Sequence, residues 1–400
     1  MVALIPVTDV TPRVVDLLKG VPFARASERF TVPRTMPREF LVPQASDRVF
    51  KGRYVENPIL DKSGRLAIAR DDSLFPNYQA RVFEVTIDGG HHLVMAGMSS
   101  HLAQPVFERG LPFLVYVPPS PQDNPKGHRA ANRPLYDHAA DADVPVYYGD
   151  ASGYPYAWDW LFFQFLLNAH RLAYQLARAD RPYVFVVPMV RSFQAGLGAL
   201  ADADVLAGVL LGIQDWYLEK NAGKAPAHRA RLAHVAIACF SISTTIVARF
   251  LEANRNSALL RDSVTDLIVL DPPPGNPSNR SPIVGLALRM MSTHHWRLLL
   301  YAQDQYYINE TLGTIRKSGL SFNPRQERLF GNSRLPDLRV AYLARQQFQS
   351  DVIDPVLKDV HNTFPNLFVA DAVRWTTLKW SDVDGKRAPQ LSFLDFQPTR

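Results

Sequence analysis

The sequence predicts an α/β protein with a doubly wound, mostly parallel sheet. From residue 112 onward, strand patterns alternate with helical patterns, which requires crossover connections and therefore parallel neighbours. Several strands are short and wholly apolar, such as PFLVYV at 112–117, as is typical of strands buried on both faces. With 400 residues and 47% apolar content, the chain can bury a large core.

We expect one enlarged domain at residues 76–400, preceded by an extended arm. Residues 1–75 are rich in proline and arginine and show no sustained period, so they are predicted to lie over the body of the protein. Residues 118–157 are crowded with Pro, Asp, Gly and Tyr and are too long for an ordinary connection. They predict a lid-like insertion, followed by a long helix at 158–179.

The other elements follow from local pattern and turn residues. The predicted strands are 81–87, 91–97, 182–190, 264–271 and 296–304, and the predicted helices are 201–220 and 283–291. Between them, a further strand begins at 235 and is joined by a turn at 239–243 to a helix at 244–254. Towards the C-terminus, residues 335–343 fit either a strand or a helix, and 350–364 are predicted to be helical despite Pro355. NLFVADAVRW at 366–375 and QLSFLDF at 390–396 suggest a closing pair of strands.

Composition argues against several classes of function. The net charge of +6 is spread along the chain without a Lys/Arg run, so nucleic-acid binding has no specific support. Cys239 is the only cysteine, which excludes an intrachain disulfide and a thiolate metal site. No glycine-rich nucleotide motif and no metal-ligand spacing occurs, so we expect no cofactor and no metal. Oligomeric state is not indicated.

Targeting signals are also absent from the pattern. The N-terminal residues show no charged leader followed by an apolar run, and no stretch approaches the ~18 apolar residues needed to span a bilayer. We therefore expect a cytoplasmic protein without a transmembrane segment, and leave export that needs no signal peptide open.

The most informative segment is VAIACFSISTTIVARFLEAN at 235–254. It predicts a buried strand, a sharp turn carrying Ser241 and an amphipathic helix. A serine nucleophile needs a base, a group that orients the base, and N–H donors for the oxyanion. The turn would expose the Ser241 hydroxyl at the carboxyl edge of the sheet and aim the Ile242 N–H at the developing charge. Alternatively, Ser241 only caps the helix.

The turn and its neighbours resemble the α/β-hydrolase fold superfamily. The turn is Cys239-Phe240-Ser241-Ile242-Ser243, preceded by PFLVYV and PYVFVVPMV and followed by DLIVLDPP and RLLLYAQD, in the family's order and spacing. It is a degenerate nucleophile elbow, because Cys239 and Ser243 stand where that family has glycine. The resemblance covers roughly residues 110–310 and implies hydrolysis or acyl transfer where the catalytic triad is intact.

The family's chain order of nucleophile, acid and histidine implies the other two members. Only His361 follows the strand ending near Asp304, so it is the candidate base, the alternative being a histidine on a helix face or at a helix end. Asp304 ends RLLLYAQD, where the family most often places its acid, and we predict it for that role. Asp271 ends the preceding strand and is the alternative acid, or a turn residue before proline.

The second oxyanion donor is less clear from the sequence. The loop after 112–117 begins with Pro118-Pro119, which have no N–H to donate. Ser120, Gln122 or the loop at 191–196 could supply one. This loop and the missing glycines argue against an efficient esterase.

We expect a serine hydrolase that cleaves an ester, thioester or lipid-like acyl substrate through an acyl-enzyme, with Ser241, His361 and Asp304 as the triad. Two alternatives stay open. One is an inactive binding or scaffold protein with a pocket under residues 118–160, favoured if the His361 ring lies more than ~8 Å from the Ser241 hydroxyl. The other is an acyltransferase that uses the same serine.

Overall fold

A computed structural model of the chain describes part of its length. The described residues are 2–11, 35–37, 54–56, 78–99, 110–118, 183–188, 196–222, 232, 234–273, 280–324, 329–342 and 360–376. Several predictions lie outside them: the insertion beyond Pro118, the helix at 158–179, the donors Ser120 and Gln122, and the strand at 390–396.

The described strands form one large sheet and one small one. In chain order they are β1 (Thr8–Asp9), β2 (Thr35–Pro37), β3 (Tyr54–Glu56), β4 (Tyr78–Ile87), β5 (Gly90–Ser99), β6 (Pro112–Val117), β7 (Val184–Pro188), β8 (His234–Phe240), β9 (Val264–Leu270), β10 (Arg297–Ala302), β11 (Leu329–Asn332) and β12 (Leu335–Tyr342). The large sheet has the order β1-β4-β5-β7-β6-β8-β9-β10-β12-β11, and β2 pairs with β3 separately.

The centre of the large sheet is parallel, as the sequence predicted. Strands β7, β6, β8, β9, β10 and β12 pair in parallel, while β5 runs antiparallel to both β4 and β7. Every residue of β6, β7 and β8 is buried. Central parallel strands are covered on both faces, which is why these strands are continuous apolar runs instead of alternating patterns.

The described α-helices follow the parallel strands. They are α1 (Ala203–Ala222), α2 (Ser243–Ala253), α3 (Ile283–His294), α4 (Gln305–Lys317) and α5 (Val360–Trp375), with a short 3₁₀ helix at Gly198–Ala201 and a π-helical turn at Leu259–Ser263. Among the described helices, none is long and apolar enough to cross a bilayer. Neither α4 nor β11 was predicted from the sequence.

The prediction of a strand at 366–375 is wrong, because these residues belong to α5. Its buried residues fall at helical spacing: Phe364, Phe368, Val369, Ala372 and Val373. That spacing follows the 3.6-residue period of a helix whose one face is covered. Pro365 inside the helix, together with the β-branched and aromatic content, hides this period in the sequence.

Helix α5 crosses the sheet beside β9 and β10. Its C-terminal end lies at the amino edge of the sheet, because Arg297, the first residue of β10, donates a hydrogen bond of 2.5 Å from Nη1 to the Trp375 carbonyl. The Arg339 guanidinium also stacks 3.8 Å from the centre of the Trp375 ring. Sixteen helical residues span about 24 Å and six strand residues about 20 Å, so the first turn of α5 reaches the carboxyl edge.

The N-terminal residues pack on α1. The Ile5 N–H donates a 3.0 Å hydrogen bond to the Gly208 carbonyl, inside the helix. A Cβ atom on Gly208 would lie 2.6 Å from the Ala3 carbonyl oxygen, and one on Gly212 would overlap the Ile5 carbonyl oxygen. Two glycines one helical turn apart therefore provide the surface on which this segment lies. The predicted boundary between an arm at 1–75 and a domain at 76–400 stays a prediction.

Gly212→Ala is expected to destabilise the protein by about 1–3 kcal/mol, because the new methyl group must displace the backbone at Ile5. Thermal unfolding of the full chain measures this. Gly313→Ala is the matched control: Gly313 lies on α4, and a Cβ there would meet nothing within 4 Å, so helix propensity predicts a small gain in stability. Equal losses in the two variants would contradict this packing.

Candidate active site

Ser241 lies at a sharp turn between β8 and α2. Its φ of +56° is in the left-handed region, which a residue with a side chain rarely adopts. The Ser241 N–H donates to the Leu270 carbonyl at 3.1 Å, and the Ser241 carbonyl accepts from the Thr244 N–H at 3.0 Å. The strained turn therefore stays fixed between β9 and the first turn of α2, with Ser241 partly exposed.

The two residues that replace the usual glycines are both buried. Cys239 is 0% exposed at the end of β8, and Ser243 is 0% exposed at the start of α2. The Ser243 hydroxyl accepts from the Phe240 N–H at 2.8 Å and lies 2.8 Å from the Val117 carbonyl oxygen, which can accept its proton. The side chain of Ser243 thus joins the turn to the end of β6, from which the candidate oxyanion loop begins.

The structure brings His361 to Ser241. The His361 Nε2 atom lies 2.7 Å from the Ser241 Oγ atom, and its Nδ1 atom lies 2.5 Å from the Asp271 Oδ2 atom. A carboxylate accepts only, so the Nδ1 atom carries a proton and Nε2 can accept the serine proton. The imidazole packs on the Phe240 ring, with centroids 4.7 Å apart and planes inclined by 32°.

Asp271 is 0% exposed and follows the last residue of β9. Its carboxylate accepts two hydrogen bonds from one residue, from the Gln303 backbone N–H at 3.0 Å and from the Gln303 side-chain amide at 2.6 Å. Burial raises the pKa of Asp271, and the hydrogen bonds and charge of His361 and the two bonds from Gln303 oppose that shift. The carboxyl group is thus desolvated but surrounded by donors that favour its ionised form.

The structure does not place Asp304, the predicted acid, against His361. Its Oδ1 atom accepts a 2.9 Å hydrogen bond from the Tyr306 N–H, so Asp304 is the N-cap of α4. The reason is the register of the sheet. Tyr301 pairs with Leu270, so Gln303 and Asp271 are neighbours at the carboxyl edge. The chain bends at Gln303, and the Asp304 carboxylate that follows is used to cap the first turn of α4.

Ser241 does not cap the helix that follows it. The N-cap of α2 is Ile242, whose side chain makes no capping bond, and the Ser241 hydroxyl is hydrogen-bonded to His361. As the N-cap, Ile242 has a backbone N–H with no partner within the helix, as an oxyanion donor requires. Residues 191–195 lie outside the described part of the chain, as do Ser120 and Gln122. Of the predicted sources of the second oxyanion donor, only Gly196 is described, and a Cβ placed on it would lie 3.5 Å from the Ile246 side chain on α2.

Three neighbours of the site were missed by the sequence argument: Phe240, Ser243 as a hydrogen-bonding group, and Gln303. Phe240 and Ser243 are within the turn itself, but the sequence does not show which aromatic ring packs on the histidine. Gln303 could have been found by aligning the ends of β9 and β10, because Asp271 and Gln303-Asp304 follow two adjacent parallel strands.

Among the described residues, no group of three His, Cys, Asp or Glu side chains is placed to hold a metal.

The sheet order and the turn together decide the fold. Strands β4, β5, β7, β6, β8, β9, β10 and β12 lie side by side, β5 alone of these is reversed, and the left-handed Ser241 follows the central strand β8. The chain has the α/β-hydrolase fold. The resemblance noted from the sequence is therefore confirmed at the level of the fold.

Comparison with known proteins gives only distant similarities. No family model and no curated protein matches the chain. Among solved structures, a vibralactone cyclase is 9% identical, with 92% of this chain and 88% of that one covered and a TM-score of 0.36. A mutant of the feruloyl esterase module from Clostridium thermocellum, complexed with sinapinate, is 10% identical, with 74% of this chain and 91% of that one covered and a TM-score of 0.35.

A thermophilic and thermostable carboxylesterase cloned from a metagenomic library is also similar. It is 12% identical, with 75% of this chain and 88% of that chain covered and a TM-score of 0.32. The assignment of the α/β-hydrolase fold rests on the order and direction of the strands.

Proposed function

We propose that the chain is a serine hydrolase that cleaves an ester, thioester or lipid-like acyl substrate through an acyl-enzyme on Ser241. The observation that carries this proposal is the continuous hydrogen-bonded chain from the Ser241 hydroxyl through His361 to the buried Asp271. The acid of this triad is Asp271 and not Asp304. A nucleophile, a base and an orienting carboxylate in this geometry are the parts that acyl transfer from a serine requires.

In the proposed mechanism, the Ser241 oxygen attacks the substrate carbonyl while its proton passes to the His361 Nε2 atom. Asp271 holds the imidazole in the tautomer whose Nε2 is free and stabilises the imidazolium that forms. The Ile242 N–H, at the N-terminus of α2, donates to the oxygen that develops negative charge. His361 then gives its proton to the leaving group, which departs and leaves the acyl group on Ser241.

The second half repeats the first with water. His361 takes a proton from a water molecule, whose oxygen attacks the acyl carbonyl, and the same N–H donor stabilises the second oxyanion. The proton then returns from the imidazolium to the Ser241 oxygen as the acid product leaves. An acyltransferase would differ only in this step, because an alcohol or amine would replace water.

The catalytically inactive alternative depended on separation of the serine from the histidine. The observed 2.7 Å between His361 Nε2 and Ser241 Oγ supports activity instead. Burying an ionisable group costs free energy, which hydrogen bonds offset only in part. A carboxylate buried behind an imidazole is therefore more readily explained by catalysis than by a scaffold role. Inactivity is therefore not favoured by any described contact of these three residues.

The test is turnover of purified full-length chain on p-nitrophenyl esters and thioesters of short and long acyl chains. We expect hydrolysis by the natural sequence and a fall in kcat of at least ~10³-fold in Ser241→Ala. Product analysis with and without an added alcohol or amine separates hydrolase from transferase. No turnover of any substrate by the natural sequence, or full activity in Ser241→Ala, would contradict the proposal.

A further inference from the structure

Gln303 contacts the buried acid with both of its donors. The backbone N–H of Gln303 lies 3.0 Å from Asp271 Oδ1, and its side-chain amide nitrogen lies 2.6 Å from Asp271 Oδ2. That same Oδ2 atom accepts from the His361 Nδ1 atom. Gln303 and His361 thus contact the same carboxylate oxygen from two different elements, one just after β10 and one in the first turn of α5.

The backbone of Gln303 is itself held beside Asp271. Strands β9 and β10 pair in parallel, and the Asp271 N–H donates to the Tyr301 carbonyl at 2.7 Å, two residues before Gln303. Asp304, the next residue, begins α4 as its N-cap. The side chain of Gln303 is thus placed between a strand end and a helix start, and it is directed at the acid by the fold on both sides.

A carboxylate that is fully buried needs donors in order to stay ionised. A hydrogen bond to a charged group contributes more free energy than one between neutral groups. Removing its donor leaves part of the buried charge without compensation, which adds a desolvation cost. Among the described residues, the groups that act on the Asp271 carboxyl are His361 and Gln303. Of these two, Gln303 is the one whose donors do not titrate, since an amide keeps its protons at every pH that the protein tolerates.

We propose that Gln303 is a positioning residue of this site, which keeps Asp271 ionised and aimed at the Nδ1 atom of His361. This inference rests on the proposed function for its kinetic consequence, but not for its electrostatic one. Gln303 does not take part in bond making or breaking. It acts through Asp271, and through Asp271 on the tautomer and orientation of the imidazole.

Removal of the side-chain donor has a defined sign. In Gln303→Ala the backbone donor remains, the Asp271 anion is less stabilised, and the Asp271–His361 pair therefore binds its proton more tightly. We expect kcat to fall about 10- to 100-fold with KM nearly unchanged. The acid limb of the pH profile of kcat/KM is expected to move to higher pH by about one pH unit. Gln303→Glu should show a larger effect, because two carboxyl groups would then face each other.

Gln214→Ala is the matched control for loss of a buried glutamine. Gln214 is 1% exposed, and its side-chain oxygen accepts a 2.8 Å hydrogen bond from the Leu111 N–H before β6, at the amino edge of the sheet. We expect this variant to lose thermal stability and to keep the pH profile of the natural sequence. A glutamine with only a structural role at position 303 would behave in the same way.

The second readout does not depend on turnover: titration of the His361 imidazole in the resting protein by ¹⁵N NMR. The titration midpoint of the pair is expected to rise in Gln303→Ala and to stay in place in Gln214→Ala. An unmoved midpoint and an unmoved acid limb in both Gln303 variants would overturn the inference while leaving the proposed function intact. Absence of turnover in the natural sequence would overturn the proposed function, and the NMR titration would still decide the role of Gln303.

Discussion

Asp271→Asn is expected to lower kcat by about 10⁴-fold with little change in KM. An asparagine amide can donate to the His361 Nδ1 atom, which then becomes the acceptor. The proton of the imidazole moves to Nε2, and Nε2 can no longer take the proton of Ser241. The size of the variant side chain is nearly that of the native one, so packing around the buried position is preserved. Steady-state kinetics on the best ester substrate measures the loss.

Asp304→Asn is the control that makes this result specific. Asp304 caps α4 through its bond to the Tyr306 N–H, and asparagine caps a helix about as well as aspartate. We therefore expect the free energy of unfolding to stay close to that of the natural sequence, and kcat to stay within about twofold. A large loss in Asp304→Asn, with Asp271→Asn nearly active, would show that the acid is Asp304.

His361→Ala is expected to lower kcat roughly 10⁴- to 10⁶-fold, because no other described side chain is placed to take the Ser241 proton. When two residues act in the same catalytic step, removing the second costs little further rate once the first is gone. The double variant Ser241→Ala with His361→Ala should accordingly be no slower than Ser241→Ala alone. Single-turnover and steady-state rates of the three variants measure this.

His294→Ala is the matched histidine control. His294 is the last residue of α3, and its Nε2 atom lies 2.6 Å from the Arg255 carbonyl oxygen. Its loss is expected to cost some stability and no activity. Losses that add in the double variant, or equal losses from His361 and His294, would mean that Ser241 and His361 do not work as a unit.

The parts of the fold that were predictable are those where burial alone determines the pattern. β6 was predicted at its observed bounds, β9 within a residue of them, and the start of β8 within a residue, because strands covered on both faces show uninterrupted apolar runs. The turn at Ser241 was predictable because a strand pattern changes to a helix pattern within three residues of it. Both signals are local and need no knowledge of neighbours.

The features that were missed depend on contacts between distant residues. Whether Asp271 or Asp304 faces His361 is set by the register of β9 against β10, which a single sequence does not display. The pattern predicts a helix for the start of α5, within 350–364, but a strand for 366–375, because Pro365 interrupts the helical period, although Phe364, Phe368 and Val369 share one buried face. Gln303 carries no motif, and its role depends on the same register.

The most direct test of the central proposal is covalent labelling with a serine-directed fluorophosphonate, followed by intact-protein mass spectrometry and peptide mapping. The proposed mechanism predicts a single adduct on Ser241 in the natural sequence, none in Ser241→Ala, and much slower labelling in His361→Ala and Asp271→Asn. Labelling that persists in Ser241→Ala, or an adduct that maps to any other residue, would contradict Ser241 as the nucleophile.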